Sequence, residues 1–210
     1  MSKEEDISSI LIDNAIHLIA EGGFEKVTTK NHAHYTKPSA DFKMNEVYIY
    51  RLFGSKENLY EKAFLTLDME FGEAVNNVLA SSWGIVLDTK KKMYEFFLKV
   101  WEFVLHNETR CWCYVRYYYS VYFKGTAVKN HQKKFDMIVQ AFKPLFIEEA
   151  DVDAIMHSIF ISLLDFAIRV YNNMLINSEE NRLHIFNVLY SIISSYLKNA
   201  DTSSIKTLLL

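Results

Sequence analysis

The stretch NEVYIYRLFGSKENLYEKAF, Asn45–Phe64, decides the fold. Asn45 is a strong helix N-cap, and EVYIYRLF follows it. Val47, Ile49, Tyr50 and Phe53 are expected to supply the buried side of this short helix. Gly54 ends it, because glycine takes the left-handed conformation that Cβ-bearing residues avoid. Ser55 then caps a long new helix, KENLYEKAFLTLDMEFGEAVNNVLA, whose Leu59, Ala63, Phe64, Leu67, Phe71 and Val75 recur at helical spacing.

Working toward the N-terminus, ISSILIDNAIHLIAEGG reads as a helix with Ile7, Ile10, Leu11, Ala15, Leu18 and Ile19 on one stripe. Gly22 and Gly23 supply its stop. His17 in this segment reads as a packed or surface histidine. A second, short helix starts near Thr28, whose hydroxyl can cap the first free amides. It runs through KNHAHY and ends before Pro38, because proline disfavours helix in the residue ahead of it.

Working toward the C-terminus, five more helices are expected after the SSWG break. KKKMYEFFLKVWEFVLH sets Lys92, Glu95, Lys99 and Glu102 on a solvated face. RCWCYVRYYYSVYF is apolar or aromatic nearly all round. AVKNHQKKFDMIVQAF is amphipathic and ends near Pro144. DAIMHSIFISLLDFAIRVYNNML is expected to be a buried helix rather than a membrane span, since His157, Asp165 and Arg169 interrupt it. ENRLHIFNVLYSIISSYLK follows, capped by Ser178, and DTSSIKTLLL reads as a loose tail.

Composition agrees with an all-helical chain. Of 210 residues half are apolar, and the only prolines are Pro38 and Pro144, which leaves long helices uninterrupted. The polar, acidic start SKEED carries no visible secretory signal. Cys111 and Cys113, two apart on a helix, point to different faces and are not expected to bridge, which fits a reduced, cytoplasmic setting. Net charge is −3, so there is no global nucleic-acid signal. Between Thr28 and Lys56, however, five basic residues stand against two acidic ones.

Three short N-terminal helices, a long linking helix and a larger helical body resemble the TetR family of transcriptional regulators. GGFEKVTTKNHA resembles the family's turn into its second helix. NEVYIYRLFGSKENLYEKAF resembles its recognition helix and the start of its fourth, with Asn45, Ile49, Tyr50, Phe53, Lys56 and Leu59 in the matching places. The detailed match covers about the first quarter of the chain. The turn departs from the pattern: HYTKPSADFKM, between Ala33 and Asn45, makes it longer by about six residues and lacks the usual small-Gly-hydrophobic sequence.

The resemblance implies an all-α fold of about nine helices. It divides the chain into a helix-turn-helix DNA-binding domain, residues 1–54, and a ligand-binding and dimerisation body, residues 55–210. The recognition helix would present Asn45, Glu46, Val47 and Tyr48 to base edges in double-stranded DNA. Glu accepts from cytosine, and Val or Tyr touches a thymine methyl. Thr28, Tyr50 and Lys56 match phosphate-gripping positions, and Lys30, Lys37 and Lys43 are expected to add backbone contacts.

Trp112, Arg116, Tyr119 and Phe123 fall at i, i+4, i+7 and i+11, and Cys111, Val115, Tyr118 and Tyr122 form a second stripe. Such a helix is surrounded by protein or lines a cavity. The family encloses a ligand among these helices, so the pocket candidates are Phe97, Trp101, Trp112 and Tyr119, with Glu102 and Arg116 as polar anchors. A small hydrophobic or aromatic effector is expected. The last two helices imply a homodimer through Phe160, Leu164, Val170, Leu189, Ile193 and Tyr196.

The function implied is a ligand-responsive repressor released from its operator by the effector. The alternative is a TetR-like binding module for a small molecule or protein that no longer reads an operator. No Gly-rich phosphate loop after a strand, GxSxG, HExxH or convincing carboxylate pair points to an enzyme, and no cofactor is expected. Cys111, Cys113 and His106 lack the spacing of a metal site.

Overall fold

The computed structural model describes residues 3–28, 31, 46–82 and 90–198. Among them run eight α-helices: α1 (Lys3–Gly22), α2 (Glu46–Phe53), α3 (Lys56–Ser82), α4 (Lys90–His106), α5 (Glu108–Tyr118), α6 (Thr126–Phe142), α7 (Val152–Tyr171) and α8 (Glu179–Ser194). Two short 3₁₀ turns, Phe24–Lys26 and Lys143–Leu145, join them. The chain is all-α, as expected, and the described residues contain no strand. Most of the expected KNHAHY helix, the long turn, the break at 83–89 and the C-terminal tail lie outside the described residues.

The helices pack as two compact units. One comprises Met1–Gly72 and Asn107–Lys134, the other Glu73–His106 and Phe135–Leu210. In the first, α1 lies along α5 and buries Ile7, Leu11, Ala15, Leu18 and Ile19. Ile10, expected on that stripe, is instead 37% exposed. Gly23 takes φ 85° and ends the helix. Phe64 is fully buried, with its ring stacked 4.6 Å from Tyr117 and tilted against Tyr114 at 5.0 Å. Such ring pairs add about 0.5–1.5 kcal/mol each beyond the area they bury.

Polar ties fix the same helices. Arg110 on α5 meets Glu70 on α3 at 2.8 Å and Asp13 on α1 at 3.7 Å. Deeper, His131 Nδ1 lies 2.9 Å from Asp68 Oδ1, and the Tyr114 hydroxyl donates to the same oxygen at 3.3 Å. All three side chains are buried, so each supplies a partner that water cannot.

The expected aromatic stripe beyond Tyr118 does not continue as a helix. The Ser120 hydroxyl donates to the Tyr117 carbonyl (2.7 Å) and accepts from the Tyr122 amide (3.1 Å), which folds the chain into a turn. Tyr119, Tyr122 and Phe123 therefore leave the helical register of Trp112 and Arg116, because a serine that bonds nearby backbone competes with helix continuation.

In the second unit α4 packs on α7 and α8, which also pack on each other. Leu79, Phe135, Val139, Phe142, Phe146, Val152, Ile155 and Leu197 form its core. Asp151 caps α7 by accepting from the Ala154 amide (3.1 Å), and Ser178 caps α8 by accepting from Asn181 (3.2 Å). A bridge between Phe146 and Leu197 pins the end of the described chain. The apolar helix α7 is less buried than expected: 22% of its most apolar stretch is covered within the chain. Its sequence is apolar over most of its circumference, while α4 and α8 cover only part of it.

Candidate functional site

The short helix α2 is oriented by one residue. Ile49 is 1% exposed, whereas Val47 is 61% and Tyr50 53% exposed. The expected buried side is thus half wrong: Ile49 anchors the helix, while Val47 and Tyr50 stand out to solvent. In eight residues with four consecutive apolar or aromatic side chains, the period alone does not select the inward face. Tyr48 is half-buried, with the Arg51 guanidinium 5.3 Å from its ring centre.

The start of α3 is fixed against the end of α2. Gly54 takes φ 78°, a conformation costly for any residue with a Cβ. Ser55 Oγ accepts from the Asn58 amide at 3.1 Å, and Asn58 Nδ2 donates to the Phe53 carbonyl at 2.7 Å. Lys56, half-buried, therefore opens α3 immediately beyond the Gly54 stop. Thr28 caps as expected, accepting from the Asn31 amide at 3.3 Å. Tyr60 is buried with its hydroxyl 3.4 Å from the Phe24 carbonyl, and burial, then Tyr122, pushes its pKa up to about 12. Lys30, Lys37, Lys43 and Asn45 lie outside the described residues, as does the side chain of Glu46.

A cleft of about 510 Å³ lies in the second unit. Tyr94, Leu98, Trp101 and Leu105 form a stripe of α4 along it, with Glu102 and His106 beside them. Asn177, Glu179 and Arg182, around the start of α8, form the opposite wall. Trp101 Nε1 donates to Asn177 Oδ1 at 3.1 Å, tying the two walls. His106 Nδ1 donates to the Glu102 carbonyl at 2.8 Å. The Nε of Arg182 is buried and has no hydrogen-bond partner.

Two of the six expected pocket residues, Trp101 and Glu102, line this cleft. Phe97 is buried behind it, its ring 5.9 Å from Trp101 and 5.7 Å from Phe186. Trp112, Arg116 and Tyr119 belong to the first unit. There the Arg116 guanidinium lies 5.6 Å from the Trp112 ring centre, and Tyr119 is 67% exposed. Arg182, Asn177 and Glu179 were missed by sequence reasoning, since each reads as an ordinary polar residue near a helix cap.

Neither cysteine is in a disulfide and both are buried, and burial raises the Cys113 thiol to about 12. No cluster of metal-ligating side chains occurs among the described residues. Of the expected dimer residues, Leu164 and Leu189 are buried inside the chain and Tyr196 is 41% exposed. Phe160, Val170 and Ile193 are half-buried. Asp165 and Arg169 pair with each other at 2.8 Å along α7.

No family model and no curated protein matches the sequence. Solved structures do match its fold. A TetR family transcription regulator from Marinobacter aquaeolei VT8 superposes with TM-score 0.67 at 12% identity, covering 91% of this chain and 98% of that one. A putative TetR family transcription regulator from Shewanella sp. PV-4 gives 0.67 at 14%, covering 90% and 97%. The fatty acid degradation regulator FadR from Bacillus halodurans gives 0.59 at 15%, covering 86% and 96%. Helices that follow one another in the same order over nine-tenths of the chain, with no strand among the described residues, give this protein the TetR-family transcription regulator fold.

Proposed function

We propose that the protein is a homodimeric, ligand-responsive DNA-binding transcriptional regulator that acts as a repressor in the cytoplasm. One observation carries the DNA-binding reading. Helix α2 is anchored by Ile49 and turns Val47 and Tyr50 outward, which exposes an apolar and a hydroxyl-bearing side chain on the face that would meet a groove. Residues 1–54 form the head in this reading and 55–210 the body. Glu46, Val47 and Tyr48 read bases with Asn45, while Thr28, Tyr50, Lys56, Lys30, Lys37 and Lys43 hold phosphates.

The α4–α8 cleft is the proposed effector site, with Trp101 and Glu102 from the expected set. Its volume falls within the ~300–1,000 Å³ of small-molecule sites. The weakly covered α7 supports pairing with a second copy, which also gives a palindromic operator its two readers. Effector binding must favour the arrangement that does not hold DNA, since a ligand shifts an equilibrium only by its differential affinity.

The test is binding of the purified protein to duplex fragments from around its own gene, by fluorescence anisotropy at several salt concentrations. Site-selective binding that falls steeply with salt is expected. Equal, weak binding to every fragment would instead favour a scaffold that binds a small molecule or protein without reading an operator.

A further inference from the structure

We propose that the α4–α8 cleft takes an amphiphilic monocarboxylate, its carboxylate paired with Arg182 and its apolar body lying along Tyr94, Leu98 and Leu105, with Trp101 fixed behind them. The inference deepens the reading of this cleft as the effector site and rests on it.

The four wall residues fall at i, i+4, i+7 and i+11 of α4 and so form one continuous stripe. Within a folded unit such a stripe is ordinarily covered by other side chains; here it borders open volume. The polar handle of Trp101 is already used, since its N–H is committed to Asn177. The indole itself is covered, 1% exposed, so the apolar surface along the cleft comes from the part-buried Tyr94, Leu98 and Leu105.

Arg182 sets the polar end. Its Nε is buried and unpartnered, and no carboxylate among the described residues forms an ion pair with it. A guanidinium does not lose its proton in a protein, so neutralisation offers no escape from that penalty. A carboxylate supplies the missing acceptor in the planar, two-oxygen geometry that matches the guanidinium fork. The Nδ1–H of His106 is already committed to the Glu102 carbonyl and is not offered to a ligand.

The remaining charges select among anions. Glu102 and Glu179 line the same cleft and are exposed. Their negative charge opposes a dianion more than a monoanion, which sets a carboxylate above a phosphate monoester. They also sit where a cationic amphiphile would bring its head. Solvated carboxylates gain little from such a pairing, however, whereas a buried, unmet donor gains fully from an acceptor.

The experiment is isothermal titration calorimetry of the full chain with decanoate, decanol, decyl phosphate and decylamine. Decanoate is expected to bind at least about tenfold tighter than decanol, the factor a charge-assisted hydrogen bond supports. Arg182→Gln should bring decanoate down to the level of decanol, and Arg182→Lys should restore part of the difference. Glu102→Gln should tighten decanoate and, by a larger factor, decyl phosphate. Leu98→Trp, which fills the cleft from the other wall, should weaken both decanoate and decanol.

Decanol or decylamine binding as tightly as decanoate to the wild type overturns the proposal without any variant. So does decanoate binding that survives both Arg182→Gln and Leu98→Trp in folded protein. The effect of each probe on DNA binding is measured separately. Decanoate that binds through Arg182 without altering DNA affinity leaves the site standing and removes the ligand-control reading. Decylamine that binds tightly and releases DNA does the reverse.

Discussion

Replacing Lys56 by Ala should change how DNA binding responds to salt, and the size of the change follows from where the lysine stands. Lys56 opens α3 directly after the Gly54 stop that ends α2. If its ammonium neutralises one phosphate, its loss lowers the slope of log K against log salt by about 0.9. With two copies on one operator the change is about 1.8. Between 50 and 200 mM salt, the ratio of wild-type to mutant affinity should then shrink about twelvefold. Tyr50→Phe is the matched control. It removes a neutral hydroxyl that releases no counterion, so it should weaken binding by about 1 kcal/mol per copy at every salt concentration, with the slope unchanged. Anisotropy titrations of a labelled operator over that salt range measure both. A wild-type slope in folded Lys56→Ala would refute the phosphate role, and a slope change in Tyr50→Phe would refute the reasoning that separates the two residues.

Ile49→Ala should cost about 2–5 kcal/mol in urea denaturation, because Ile49 is 1% exposed, while Val47→Ala on the outer face should stay within about 0.5 kcal/mol. Equal effects would mean that α2 is turned the other way. Cys111 and Cys113, both buried, should resist iodoacetamide at pH 8 in the native protein and react in guanidinium; rapid native alkylation of Cys113 would contradict its raised thiol pKa. Alkali should destabilise the fold through Tyr60 and Cys113, whose pKa values rise from 10.0 and 9.0 to about 12. Above the ordinary values the folded state holds more protons than the unfolded one, so stability is complete below about pH 9 and falls toward pH 12. A urea midpoint unchanged between pH 8 and 10.5 would sink that argument. Trp101→Phe removes the donor to Asn177 and should weaken ligand binding at the cleft while keeping the helix content; calorimetry with decanoate shows whether it does.

The head and the body differ in how far their sequences could be read, and the reason is the range of the interactions that build them. Gly23, Gly54, Ser55 and Ser178 act on backbone within five residues, so the helix ends they set were legible without any tertiary knowledge. The same held for the stripe of α3, where Leu59, Ala63, Phe64, Leu67 and Phe71 are buried as the period predicts. In the eight residues of α2 the period has too few turns to choose between Ile49 and Val47, and packing decides. The end of α5 was lost for a related reason: an aromatic run looks continuous until Ser120 turns the chain.

The cleft is nonlocal from the start. Trp101 and Asn177 are 76 residues apart, and they become neighbours only because α4 packs beside the start of α8. Arg182 carries no local mark of its role; what marks it is a buried Nε without an acceptor, a feature Arg116 shares, together with its place in the wall of the cleft. An aromatic-rich stretch such as RCWCYVRYYYSVYF draws attention in the sequence, yet in the first unit its rings largely pack on one another, with Tyr114 and Tyr117 1% exposed. Density of aromatics therefore marks where a core is formed, whereas an unmet polar atom beside open volume marks where a ligand is wanted. On that criterion the chemistry of the proposed effector is to be sought at Arg182, in the wall of the cleft, rather than among the packed rings of the aromatic run.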